Sequence, residues 1–546
     1  MVSTCRHPDN GPAPAIVLAT LNAKYIHASL GLRYLLANLD RHGGAGLRAR
    51  TVLREFTIRR EPSQIVAELL ATLGPATPGA KQIVGLGVYI WNVAQTTEVL
   101  RLLKAARPGV TVVLGGPEVS HETNQQEIVH LADHVITGWG DVSFAKLCRA
   151  LLHGPPPLMK LMAGEQPTLD QVELPYGEYS DTDLAQRLLY VEASRGCPFK
   201  CEFCLSSLDK TAWSFELDRV LAALERLYQR GARHFKFVDR TFNLRVETSV
   251  RILQFFLDRL PCADNEDHAA PLFLHFEVIP DHLPERLRAL IAQFPPGVLQ
   301  LEVGVQSFDV AVQQTISRRQ DNAASEANLR WLRAHSHAHL HADLIFGLPG
   351  ETLASFSAGF DRLLDIGPHE IQLGMLKRLR GSPIARHTVT HGMRYANEAP
   401  YTVWQTGVMD AATLQRCTRF ARYWELLANS GRFQQTLPLL LQGRPGGSAF
   451  AAFMAYSDWL WARTGRTSGF TPEALVDHLA EYLLACGRMA DEAVRAALLS
   501  DYLASGARAS PRALHGMLPR RAPRPAKPQR TLATRQDRHH SPHAAK

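Results

Sequence analysis

Paired cysteines, long apolar runs and nucleotide-binding glycine motifs are what this 546-residue chain has least of. Its eight cysteines are too few and too scattered for a disulfide framework, and clustered thiols in a reducing compartment favour metal over disulfide. No stretch approaches the ~18 apolar residues of a membrane span. The start, "MVSTCRHPDNGPAPA", lacks a hydrophobic signal region, so a soluble cytoplasmic protein is expected. GxGxxG is missing after the first predicted strand, which argues against a nicotinamide-dinucleotide domain. The body of the chain also lacks net charge. Residues 502–546 hold ten Lys/Arg and one acid, a net +9, so of the chain's +8 the first 501 residues hold −1. The Pro-, Arg- and His-rich tail buries too little apolar surface to offset its ordering entropy. It reads as a solvated, dispensable segment, the alternative being a basic arm for nucleic acid or another polyanion.

What is present begins with "RGCPFKCEFC" at 195–204, three cysteines spaced four and then three apart. A closed zinc site needs a fourth ligand, yet Cys5, Cys148, Cys262, Cys417 and Cys486 stand singly. An iron–sulfur cubane fits better, because three thiolates on a tight loop hold three irons and leave the fourth open for an exogenous ligand.

Around that loop the sequence reads as α/β. Apolar, β-rich runs at 15–21, 48–56, 82–90, 110–116 and 134–138 alternate with helical periodicity, the pattern of a parallel sheet with crossover helices. Ligands bind at the carboxyl ends of such strands, which directs attention to "NAKYIH", "YIWN", "GGPEVS" and "GWGDVS". Six further strands at 188–194, 234–239, 272–278, 299–306, 340–347 and 370–376 suggest a partial (β/α)6 barrel of the TIM type, with the cysteine loop after its first strand, where barrel enzymes keep catalytic residues. The expected organisation is a Rossmann-like doubly wound parallel sheet over 1–154, a linker over 155–187, the barrel over 188–385, a helical domain over 386–505 and a disordered basic tail over 506–546. Most aromatic residues of the helical domain are expected in its core, the remainder covering the barrel mouth.

"CPFKCEFC" resembles the CxxxCxxC loop of the radical S-adenosylmethionine (SAM) superfamily. "GLGVYIWN", "VVLGGPEVS" and "ITGWGDVSF" look like the cobalamin-binding domain that precedes the catalytic domain in many of its members. The resemblance covers roughly residues 15 to 385. It implies a 4Fe-4S cluster on Cys197, Cys201 and Cys204, with SAM completing the open iron. It also implies SAM contacts from Phe203, Asp239, Glu277, Gln306, Arg318 and Asp343, a set similar to that of the oxygen-independent coproporphyrinogen oxidase branch. Where that branch often has a second acid after Asp239, this chain has Arg240. Cobalamin would rest on Asn22, Tyr89, Trp91, Asn92, Gly115, Gly116, Pro117, Glu118, Gly138 and Gly140. DxHxxG, which supplies an axial histidine in the wider cobalamin class, is absent, and His27 lies in the wrong frame. The lower axial position is then empty or held by a group other than histidine, and His27 reads as structural.

The implied activity is methylation of an unactivated carbon by reductive SAM cleavage and methylcobalamin. The alternatives are a cobalamin-associated radical rearrangement or oxidation, and a non-enzymatic cobalamin or iron–sulfur sensor. A methylthiotransferase would carry three further cysteines in its N-terminal domain, where this chain has only Cys5 and Cys148. The implied partners are a small-molecule or natural-product substrate and a low-potential electron donor such as flavodoxin or ferredoxin; neither membrane nor nucleic acid is expected. No catalytic side chain and no particular substrate follow from the sequence.

Overall fold

A computed structural model describes residues 15–209, 211–260, 272–442, 447–485, 490–519 and 534–539. The first sheet contains β1 (Ile16–Asn22), β2 (Thr51–Thr57), β3 (Ile83–Gly87), β4 (Thr111–Gly115), β5 (His134–Thr137) and β6 (Leu161–Ala163). All six run parallel in the order β2-β1-β3-β4-β5-β6. Every residue of β1 is buried, as a central strand covered by helices on both faces requires. Strand order reverses between β1 and β3, and there the carboxyl ends of the strands open a crevice.

The second sheet contains β7 (Leu189–Val191), then, after a short ribbon of β8 (Ser194–Arg195) and β9 (Trp213–Ser214), β10 (His234–Phe237), β11 (Phe273–Val278), β12 (Leu299–Gln306), β13 (His339–Phe346) and β14 (Glu370–Met375). Its order is β14-β13-β12-β11-β10-β7, again all parallel. "LQLEVGVQ" in β12 alternates buried apolar with half-buried polar residues. The apolar half joins the core. The polar half belongs to a charged interior layer, because Glu302 Oε2 meets His275 Nε2 at 2.8 Å and Lys236 Nζ at 3.3 Å. This interior is not filled by branched aliphatic side chains as in a closed barrel, and it leaves room for ligands.

Two expectations need correction. Residues 155–187 are packed rather than a plain linker: β6 extends the first sheet, and the buried Tyr176 and Tyr179 donate their hydroxyls to Glu192 O and Tyr190 O. The aromatic residues of the helices Ala411–Leu427 and Ala449–Thr464 pack on the outer barrel helix Leu353–Ile366, where Phe360 meets Trp424 at 4.9 Å and Phe420 at 5.2 Å. Those rings lie in the core, as expected of most aromatic residues of the helical domain.

The tail, expected to be disordered from 506, is ordered where it is described. Leu514 is fully buried, and the short helix Thr534–His539 inserts Gln536, whose amide donates to Gln300 Oε1 at 2.7 Å. Residues 520–533 and 540–546 lie outside the described residues. Truncation after residue 505 is therefore expected to destabilise the protein, with about 1.5–3 kcal/mol from Leu514 alone. A denaturant midpoint equal to that of the full chain would contradict this packing.

The two sheets are joined by charged contacts. Arg33, buried, pairs with Glu55 at 2.8 Å and with Asp183 at 2.9 Å, and Arg187 also reaches Glu55 at 2.7 Å. On the other side Arg378 and Arg380, beyond β14, pair with Glu122 and Glu118.

Candidate active site at two adjoining cavities

The cysteine loop leaves β8 and turns over the carboxyl ends of the barrel strands. Gly196 makes the turn at φ +83, and a Cβ there would meet Thr211 O at 2.2 Å. Cys197, Cys201, Cys204 and Phe203 line one cavity of about 260 Å³ together with Glu277, Gln306, Arg318 and Asp343. Eight of the nine residues expected around the cluster and SAM thus face one space; the ninth, Asp239, does not. The thiols are free. Three thiols on one loop facing one cavity suit an inorganic cluster held at its corners.

Arg318 Nη1 lies 3.5 Å from Cys201 Sγ, and its guanidinium is fixed by Gln320 Oε1 and Gly304 O. Burial pushes the Cys197 thiol up to about 11 and also raises Cys201, against the pull of Arg318. Burial likewise raises the Glu277 carboxyl, while Arg240, 3.1 Å from both its oxygens, opposes the shift. Asp343 is raised well above the carboxylate range by burial and by its neighbours Glu302 and Glu277. Burial alone would raise Glu302 too, but the His275 hydrogen bond and Lys236 hold it low. Gln306 adopts φ +69 at a bulge in β12. Its Oε1 and Asp343 Oδ1 are buried and make no hydrogen bond among the described residues, with His341 Nε2 standing 3.6 Å from Asp343 Oδ1, and both oxygens can accept from a polar ligand.

Asp239 is turned away. Its carboxylate accepts Ala193 N at 3.0 Å and Ser194 Oγ at 2.6 Å, pinning the turn ahead of the cysteine loop, and burial pushes it up to about 7. Arg240 takes the wall instead.

A second cavity, of about 410 Å³, lies between the first sheet and the barrel. Gly115, Gly116, Gly138 and Gly140 line it, with Tyr89 and Trp139. A Cβ on Gly138 would meet nothing within 4 Å and one on Gly115 nothing nearer than 3.8 Å, so these positions open onto the cavity. Such a bare backbone floor between two rings fits a large planar ligand.

The other five expected cobalamin contacts do not line this cavity. The Asn22 amide donates to His27 O and Glu55, and the Asn92 amide to Leu21 O and Gly87 O, so both satisfy loop backbone and carboxylate groups. Trp91 stacks behind Tyr89 at 4.4 Å and donates to Leu21 O. Pro117 opens a 3-10 turn, and Glu118 accepts from Arg380 and Tyr401, tying that turn to the barrel. His27 Nδ1 meets Tyr190 OH at 2.7 Å, consistent with its structural reading.

The structure adds residues that were not singled out. Arg195 pairs with Asp141 and Glu192 beside the second cavity. Glu202, between two of the cysteines and almost fully buried, accepts from Ser317, Arg386 and His387. Arg240 lines both cavities.

Comparison with known proteins matches residues 16–148 to the B12 binding domain, 191–362 to the Radical SAM superfamily and 389–538 to a family of unknown function (DUF4080). The chain is 24% identical over 317 residues to the 2-(S-pantetheinyl)-carbapenam-3-carboxylate methyltransferase of Streptantibioticus cattleyicolor, covering 53% of this chain and 45% of that one. It is 24% identical over 326 residues to the cobalamin-dependent radical SAM methyltransferase TokK of Streptomyces tokunonensis, covering 54% and 47%. The chain thus spans less than half the length of these curated relatives. The solved structure of the radical SAM methyltransferase TsrM from Kitasatospora setae, with cobalamin and a [4Fe-4S] cluster bound, shares the fold with a TM-score of 0.53 at 16% identity, over 71% of this chain and 78% of that one. Among the described residues no helix is long and apolar enough to cross a membrane. A B12-binding domain and a radical SAM domain are thus both present, the second a barrel whose three thiols face one cavity, and the cofactors of these domains are a 4Fe-4S cluster, SAM and cobalamin.

Proposed function

We propose that this protein is a methyltransferase that transfers a methyl group to an unactivated carbon of a small-molecule or natural-product substrate, drawing electrons from a low-potential donor such as flavodoxin or ferredoxin. The observation that carries the reading is that the thiol-lined and the glycine-floored cavities meet at a single side chain, Arg240. A substrate at that junction reaches both. When bound, the cluster and SAM supply hydrogen abstraction and cobalamin supplies the methyl group.

The chain's own residues hold and orient these groups. Cys197, Cys201 and Cys204 hold the cluster. Arg318 would meet the SAM carboxylate and Glu277 its ammonium, with Gln306, Asp343 and Phe203 completing the site. Arg240 opposes the upward shift that burial imposes on the Glu277 carboxyl. Gly115, Gly116, Gly138 and Gly140 would let a corrin lie against backbone, and Tyr89 and Trp139 would help to enclose it. Both curated relatives described above are methyltransferases, which supports this reading over a rearrangement or a sensor.

Arg318→Ala and Glu277→Ala each remove a charge-assisted partner worth roughly 1.5–3 kcal/mol, so SAM affinity is expected to fall about ten- to a hundredfold. Equilibrium binding to the cluster-loaded protein measures this, and unchanged affinity in both variants would remove these side chains from the SAM site. The activity itself is tested by the balance of nucleoside products.

A further inference from the structure

Arg195 lies two residues before Cys197, and Asp141 follows the Gly138-Trp139-Gly140 run that lines the second cavity. Their contact is bidentate: Nη1 meets Asp141 Oδ2 at 3.0 Å and Nη2 meets Oδ1 at 3.2 Å, while Nε donates to Glu192 at 2.8 Å. The guanidinium is caged by the rings of Tyr34 at 4.2 Å, Trp139 at 4.9 Å and Phe215 at 5.6 Å. Arg195 is 15% exposed and Asp141 8%.

Such a buried pair is poor at stabilising a fold, because desolvation consumes most of its attraction. What it provides is direction: a planar fork accepts two oxygens at only one distance and one angle, whereas an apolar contact between domains can slide.

We propose that the Arg195–Asp141 pair is a strut that fixes the offset between the two cofactor cavities, making both side chains positioning residues. This rests on the reading under Proposed function. Gly196, which admits no side chain, couples Arg195 directly to Cys197, and Gly140 couples Asp141 to the cavity floor. Hydrogen abstraction and methyl delivery must reach the same carbon, and a misplacement of about 1 Å costs roughly a hundredfold in rate.

The test uses the holoprotein and needs no substrate. With cobalamin as cob(II)alamin and the cluster reduced by dithionite, both centres are paramagnetic, and pulsed electron paramagnetic resonance reads the distance between them. Wild type gives one narrow distance. Arg195→Lys keeps the charge and loses the fork, Asp141→Asn keeps the shape and loses the charge, and in each the single narrow distance is lost. Asp141→Glu retains a two-oxygen acceptor and recovers it in part. In the protein without cofactors, amide hydrogen exchange rises across 138–142 and 193–197 in the first two variants, a readout independent of loading. A narrow wild-type distance and wild-type exchange in both variants would overturn the strut alone. A wild-type protein lacking either paramagnetic signal would overturn the proposed function, and the strut's role with it.

Discussion

Cys201→Ala is expected to yield a folded protein without its cluster and without SAM cleavage. Cys201 is the middle ligand of the loop, its sulfur faces the cavity, and Arg318 lies against it at 3.5 Å. Removing one of three thiolates leaves two points of attachment and opens a second iron to solvent. The remaining cysteines cannot substitute where they are described, since Cys148 and Cys417 are buried in other parts of the chain. The fold should persist, because the loop is tied by contacts that do not involve the thiol: Glu202 N donates to Ile316 O, Ile384 N donates to Glu202 O, and the Glu202 carboxylate binds Ser317 and His387. Iron analysis and visible absorbance after anaerobic purification read the result. A full complement of iron in the variant would show that these cysteines are not the ligands.

The second large effect is expected from Gly115→Leu. Gly115 ends β4 on the cavity floor, and its Cβ direction is open. A leucine there enters the space assigned to the corrin while leaving the strand undisturbed. Overlap of this kind costs about 1–3 kcal/mol, roughly a ten- to hundredfold loss of cobalamin affinity, with iron content unchanged. Gly116 would be the wrong position to test. At φ +114, with Val88 O 2.4 Å from a built Cβ, it would lose binding by misfolding. Equal cobalamin uptake by wild type and Gly115→Leu would remove the ligand from this face.

The two sheets and the cysteine loop could be read from the sequence because their signals are local. The apolar runs of β1 and β3, the alternation of β12 and the spacing of three cysteines each lie within a few residues. What was not legible is which side chains at a strand end turn inward. Asn22 and Asn92 have short amides that satisfy nearby backbone groups more readily than a distant ligand, and Asp239 does the same for the turn before Ser194. The partners of Glu118 and Glu202 left no local signal, since Arg380 and Arg386 are far away in the chain. The tail misled for a related reason: its composition is that of a solvated segment, but Leu514 and Gln536 find burial on elements that precede them by many residues.

The central claim, that both cofactors serve one methyl transfer, is tested most directly by counting what SAM becomes during turnover. Purified, reconstituted protein would be incubated anaerobically with cell extract, a low-potential reductant and SAM carrying a deuterated methyl group. The account predicts S-adenosylhomocysteine and 5′-deoxyadenosine in equal amounts, each matched by a product bearing the labelled methyl. Turnover that releases 5′-deoxyadenosine without S-adenosylhomocysteine, and leaves the label in methionine, would contradict it and point to a radical rearrangement instead.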